Sequence, residues 1–208
     1  MFTDIPDGTT AQQFWDGFYG ARQVWSGDPN PLLVREVEHL GPGTAVDLGC
    51  GEGADVIWLA ARGWDVLGID VAPTALARAA DYAARAGVTA SAHWQAADLA
   101  AWRPERQYDL VTVQYLHSPV ALDRTRILGT AASATAPGGT LVVLSHAAMP
   151  DWHDPAVALP TLEDVQRDLA LPRDQWRLET REVVERTISD ADGRSGTRSD
   201  SVIRGVRI

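Results

Sequence analysis

At 208 residues, with 45% hydrophobic and 22% charged side chains, the chain is long enough to bury the core of one domain, and its composition excludes disordered and fibrous classes. The formal net charge of -10 opposes a phosphate backbone, so no nucleic-acid partner is expected. All 18 basic residues are arginine and Cys50 is the single cysteine, which excludes lysine Schiff bases, an internal disulfide and a cysteine-rich zinc site.

The N-terminus has no basic start followed by an apolar run, and no stretch approaches the roughly 18 apolar residues of a membrane span. A cytoplasmic chain without a membrane partner is therefore expected. Phe14, Trp15, Phe18 and Tyr19 fall on one helical face, followed by Trp25. From Pro31 to His39, Leu32, Leu33, Val34 and Val37 recur at helical spacing and stop before Gly41-Pro42-Gly43. A strand over Thr44–Leu48 then runs straight into Gly49-Cys50-Gly51-Glu52-Gly53 and an apolar helix from Val56 to Arg62.

A second strand, Asp65–Ile69, is closed by Asp70 and followed by an alanine-rich helix from Pro73 to Ala86. Further strands are expected over Ser91–Gln95, with Asp98 just beyond, over Tyr108–Val113 and over Gly139–Ser145, with a helix from Leu122 to Ala134 before the last. Strands alternating with helices predict an α/β, Rossmann-like, doubly wound parallel sheet. Trp176–Thr187 and Ser199–Ile208 are separated by a polar turn with no room for a crossover helix, so they form an antiparallel hairpin. One domain results, with residues 1–40 as a helical lid and 41–208 as its body.

Glycines between a strand and a helix let a ligand approach the backbone while helix N–H groups point at it. Gly49, Gly51 and Ala54 also satisfy the G-x-G-x-x-A pattern of a dinucleotide site, and Asp70 lies at the distance of a ribose acid, which keeps an NAD(P)-dependent oxidoreductase open. Three features lean away from it. Asp47, two residues ahead of Gly49, opposes a pyrophosphate and suits a cation; Asp98 can grip an adenine amino group; and the terminal hairpin has no place in a dinucleotide fold. Cys50 is expected to be a small filler of the turn.

Asp47–Gly53, Asp70, Ala97-Asp98-Leu99, Tyr108–Val111 and Pro137-Gly138-Gly139, in this order from about Leu40 to Ser145, resemble the class I S-adenosylmethionine-dependent methyltransferases. The resemblance implies a seven-stranded sheet ending in an antiparallel pair, with S-adenosyl-L-methionine as cofactor and S-adenosyl-L-homocysteine as product. It assigns Gly49 and Gly51 to the amino-acid part of the cofactor, Asp70 to the ribose hydroxyls, Val71 to the adenine face, Asp98 and Leu99 to the base edge, and Gln114 to the methionine moiety, with Asp47 among the cofactor-binding residues. Arg22–Pro31 resembles the N-terminal segment of small thiopurine-type and tellurite-resistance-type members, which implies a lid whose Tyr19 and Trp25 cap the reacting methyl. The implied activity is methylation of a small-molecule acceptor by a monomer or homodimer, sulfur being favoured over oxygen or nitrogen. A catalytically silent cofactor-binding module, serving as a partner or sensor subunit, is the alternative from another class.

Methyl transfer needs aligned partners and excluded water, and a base only where the acceptor carries a proton to be removed. His117 follows the fourth strand and His146 the fifth, so both should sit at the strand ends where open α/β sheets bind ligands. His117 is a candidate base or acceptor-orienting donor, set against a loop histidine packed beside Pro119. His146 and Trp152 are candidate walls of the acceptor pocket. His146, Asp151, His153 and Asp154 have some metal-ligand character, but their spacing matches no strong zinc motif and no metal is expected.

Overall fold

The apolar strands are sorted by their alternation into two faces, and helices cover both. The computed structural model describes residues 5–20, 22–150, 158–189 and 193–208. In chain order the elements are α1 (Ala11–Tyr19), α2 (Pro31–Val37), β1 (Thr44–Leu48), α3 (Ala54–Ala61), β2 (Asp65–Asp70), α4 (Pro73–Ala86), β3 (Ala92–Ala96), β4 (Tyr108–Gln114), α5 (Arg124–Ala134), β5 (Thr135–Ala148), α6 (Leu162–Leu169), β6 (Trp176–Ser189) and β7 (Ser195–Arg207). They build a seven-stranded sheet in the order β3-β2-β1-β4-β5-β7-β6. Strands β1 to β5 pair in parallel, β7 lies antiparallel to β5, and β6 closes the edge antiparallel to β7.

On one face Val46, Leu48, Val111, Val113, Leu141 and Val143 pack against α5 and α6. On the other, Ala45, Leu110, Val142 and Leu144 meet Leu33 and Val37 of α2 and Val56 and Leu59 of α3. Winding starts at β1 and proceeds in both directions, so the order reverses between β1 and β4. Beyond the carboxyl ends of these strands the connections diverge and leave the crevice where such sheets bind ligands.

The expected strands and hairpin are present, with three differences. No helix joins β3 to β4; the connection is a loop that buries Leu99 and Trp102. Strand β5 begins at Thr135, directly after α5, because Thr135 already pairs with Tyr108 ahead of a register shift. Helix α6 was not expected, although Leu162, Val165 and Leu169 form an apolar stripe and Thr161 with Asp164 makes a capping box.

Helix α4 shows how the first residues join the body. Its N-cap, Ala72, has no side chain to offer, and Asp16 of α1 accepts the Thr74 N–H at 2.9 Å instead. Tyr19, Trp15 and Phe18 pack beside Ala72 and Ala75, which seats α1 against the start of α4.

Candidate active site

The glycine turn is drawn tight against β2, with Gly49 and Cys50 donating to the Ile69 carbonyl at 2.8 and 3.0 Å. Gly51 has φ of +53°, and a Cβ there would stand 2.7 Å from the Tyr19 hydroxyl; Gly53, at φ +78°, has the Trp94 ring in the same role. Neither position tolerates a side chain, for reasons of both backbone and space.

Asp70, only 8% exposed, ties the turn to the next helix: one carboxylate oxygen accepts the Gly51 N–H and the other the Ala72 N–H, both at 2.9 Å. Burial pushes its carboxyl up against the pull of these N–H groups. Each oxygen keeps a second lone pair for a ligand hydroxyl. Val71 is half-buried between Asp70 and Ala72, and Leu99 lies near the space beside Gly49. Asp98 is exposed and accepts the Ala100 N–H at 2.9 Å within its own loop.

Asp47 is 3% exposed and accepts the Thr112 hydroxyl at 2.6 Å. Burial and the nearby Asp55 carboxylate push it up to about 7. Asp55, in the first turn of α3, accepts the Asn30 N–H at 2.7 Å and the Gln114 amide at 3.0 Å, while the Asn30 amide donates to Gln114 at 2.9 Å. A buried carboxyl group, a half-buried one and an amide thus converge where β1 and β4 diverge. Such a set is costly to charge alone and favours a cationic guest.

A further buried acid holds the N-terminal segment. Glu52, 4% exposed, accepts the N–H groups of Val24 and Trp25 at 3.0 Å each and pairs with Arg78. The Arg78 guanidinium also donates to the carbonyls of Tyr19, Gly20 and Arg22. Trp25 is half-exposed and its indole N–H donates to the Tyr19 hydroxyl at 3.3 Å. Burial, then Asp70, pushes the Tyr19 phenol far up, so it stays neutral across the physiological range.

At the ends of β4 and β5, His117, His146 and Tyr115 form a stack: His146 lies 4.1 Å from Tyr115 at 21° and 5.3 Å from His117 at 13°. Nε2 of His117 accepts the His146 backbone N–H at 3.0 Å, which places its proton on Nδ1. Desolvation, with help from His146 and Arg124, lowers its pKa to about 4, so the ring is neutral at pH 7.

Tyr19, Trp25, Gly51 and Asp70 therefore meet around the glycine turn, Asp47 and Gln114 share one network through Asp55, and His117 and His146 stack; Asp98 stands in its own loop. Trp152, with Asp151, His153 and Asp154, lies outside the described residues. Among the described residues, no group of three or more His, Cys, Asp and Glu could hold a metal, and no helix is long and apolar enough to cross a membrane. Sequence reasoning missed Asn30, Glu52, Asp55 and Arg78. Only the adjacency of Glu52 and Asp55 to the glycines could have pointed to two of them.

Residues 45–139 match a family model described as a methyltransferase domain. Among curated relatives, the 2-heptyl-1-hydroxyquinolin-4(1H)-one methyltransferase of Mycobacteroides abscessus is 36% identical over 129 residues, 60% of this chain and 56% of that protein. The chain thus spans about half the length of that relative. The N-methyltransferase NodS from Bradyrhizobium japonicum, solved with S-adenosyl-L-homocysteine, superposes with a TM-score of 0.69 at 21% identity over 94% of this chain and 97% of its own. TehB from Haemophilus influenzae gives 0.67 at 15% identity over 95% and 67%. At these identities the two solved structures speak for the fold alone. Matched segment, strand order and glycine turn are together similar to those of the class I S-adenosylmethionine-dependent methyltransferases.

Proposed function

We propose that the chain binds S-adenosyl-L-methionine and transfers its methyl group to a small-molecule acceptor. The observation that carries this reading is the pairing, at the switch point of the sheet, of a glycine turn with two kinds of carboxyl: the buried Asp70, with acceptor capacity to spare, and the Asp47–Asp55 pair, which suits a positive charge. A nucleoside joined to an ammonium-bearing chain matches both; a pyrophosphate matches only the first.

In this reading Gly49, Gly51 and Asp47 hold the amino-acid end, with Gln114 beside it. Asp70 takes the ribose hydroxyls, Val71 and Leu99 flank the base, and Asp98 reaches its edge after releasing its loop N–H. When bound, the cofactor supplies a methyl group already activated by a sulfonium leaving group. The chain's task is to align the acceptor and exclude water. Residues 1–40 serve as the lid: Tyr19, as a neutral phenol, and Trp25 stand over the glycine turn, where an aromatic face suits a cation. The acceptor is a small molecule that needs no basic surface, consistent with the net charge of -10.

Calorimetry with S-adenosylmethionine, S-adenosylhomocysteine and NADH side by side tests the reading. Micromolar binding of the two sulfur ligands without a response to NADH is the expected result. Binding of NADH in their place would return the glycine turn to a dinucleotide and the chain to the oxidoreductases.

A further inference from the structure

Asp200 is fully buried, a costly place for a carboxylate unless its charge is used or balanced. It lies on β7 directly across from His146 on β5, and its Oδ1 stands 2.7 Å from His146 Nδ1. Its Oδ2 accepts from Arg186 Nε at 3.0 Å, with Arg198 Nε 3.3 Å away. Burial works against its ionisation, but His146, Arg186 and Arg198 outweigh it and hold the carboxyl below its usual range. Asp200 is therefore an anion, and an anion facing Nδ1 fixes the imidazole with its proton on that nitrogen. Nε2 is left with its lone pair and makes no hydrogen bond to any described residue.

The ring is also held in orientation. Tyr115 and His117 each stack with it, and the Tyr115 hydroxyl accepts from Arg186 at 2.9 Å. Tyr115 adopts φ of +48°, a conformation that costs a non-glycine residue energy and recurs at functional positions. It directly follows Gln114, and Asn30, which bonds Gln114, also acts on the Tyr115 hydroxyl. The stack thus begins where the Asp47–Asp55–Gln114 network ends. His117 cannot do the same work, because its Nε2 is already engaged by the His146 backbone.

We propose that His146, oriented by Asp200, is the general base of the reaction, and that the acceptor is accordingly a neutral hydroxyl or N–H compound. This rests on the methyltransferase reading above. As the acceptor heteroatom forms its bond to the methyl carbon, the electrons of the carbon–sulfur bond leave with sulfur. The acceptor's proton passes to Nε2, and the resulting imidazolium is balanced by Asp200 until water removes the proton. His117, neutral with a proton on Nδ1, is the donor that orients the acceptor. A thiol, which ionises readily by itself, would need no such dyad, and its presence shifts the favoured acceptor from sulfur to oxygen or nitrogen.

The test has an arm that does not depend on turnover. In imidazole-15N NMR of the full chain at pH 8.5, His146 is expected as the Nδ1–H tautomer, and Asp200→Asn should mix the two tautomers. A ring carrying its proton on Nε2 in the unsubstituted chain overturns the proposal. With 2-naphthol as a neutral hydroxyl probe, His146→Gln should lower kcat by about 100-fold or more while S-adenosylmethionine affinity, read by calorimetry, stays within about twofold. Asp200→Asn should lower kcat in the same direction. A kcat for His146→Gln within about threefold of the unsubstituted chain would equally overturn the base, whereas a chain that fails to bind S-adenosylmethionine sinks the methyltransferase reading and leaves the tautomer to be judged separately.

Discussion

Asp47 and His117 are displaced from their ordinary titration in ways that act oppositely on stability. Asp47, moved from 3.8 to about 7, holds its proton in the folded chain where the unfolded chain has lost it, so between these values its contribution falls as pH rises. His117, moved from 6.5 to about 4, refuses a proton that the unfolded chain takes up, so its contribution rises with pH and is lost as pH falls from 6.5 to 4. Each group changes the stability by up to about 1.4 kcal/mol per pH unit within its window. Urea unfolding at pH 5.5 and 6.5 should show that Asp47→Asn makes the slope of stability against pH more positive and that His117→Gln makes it more negative; parallel slopes would mean that neither group is perturbed. Asp70 is tested by binding: Asp70→Ala removes charge-assisted hydrogen bonds worth about 1.5 to 3 kcal/mol, so S-adenosylmethionine affinity should fall roughly 10- to 150-fold in calorimetry, and an unchanged affinity in a folded variant would take Asp70 out of the site. Asp47, Gly49, Gly51, Asp70 and Gln114 could be singled out as candidates from their places at or beside strand ends and from the family resemblance. Asp200 was not legible, because its meaning depends on the register that sets it opposite His146, 54 positions earlier.

Among the elements, the end of α1 and residues 22–25, which belong to no helix or strand, are held by two side chains from the body. Glu52 takes two of their N–H groups, and Arg78 takes three of their carbonyls while neutralising Glu52. A buried pair of this kind is costly to break from one side, because the remaining charge is stranded. Glu52→Gln should therefore release the segment before it unfolds the body: hydrogen exchange at Val24 and Trp25 should quicken by at least about tenfold, with β1 and β4 unchanged, and S-adenosylmethionine affinity should weaken. Unaltered exchange at these two amides would show that the segment is held by its aromatic packing alone. The aromatic spacing foretold α1, and Thr10 with Gln13 caps it, but nothing in the local pattern of residues 22–30 marked an attachment to α3 and α4. The loop that stands between β3 and β4, where strict alternation would put a crossover helix, has a similar origin. Leu99 and Trp102 supply the apolar contacts a helix would have made, in a loop short enough to need none.

At the scale of the molecule, the sheet was legible because its central strands are short, mostly apolar runs largely buried between helices, while glycines or acids mark their ends. The hairpin was legible from a turn too short for a crossover. Its antiparallel place at the end of the sheet came from the family resemblance, and its pairing with β5 from the structure alone, since an antiparallel strand carries no signal of the neighbour it will choose. Because β1, β4, α3 and α4 each contribute to both core and site, a ligand held there is linked to global unfolding. A ligand that binds only the folded chain stabilises it by about 2.7 kcal/mol at 100 times its dissociation constant. For a chain of this size, that corresponds to a rise in Tm of roughly 5 to 11 °C. S-adenosylhomocysteine at that excess should produce such a shift in a thermal melt, NADH should produce none, and Asp70→Ala at the same ligand concentration should lose most of it. A shift with S-adenosylhomocysteine that survives Asp70→Ala intact would mean that the nucleoside docks away from the switch point between β1 and β4, and the shared use of core and site residues would then have no bearing on binding.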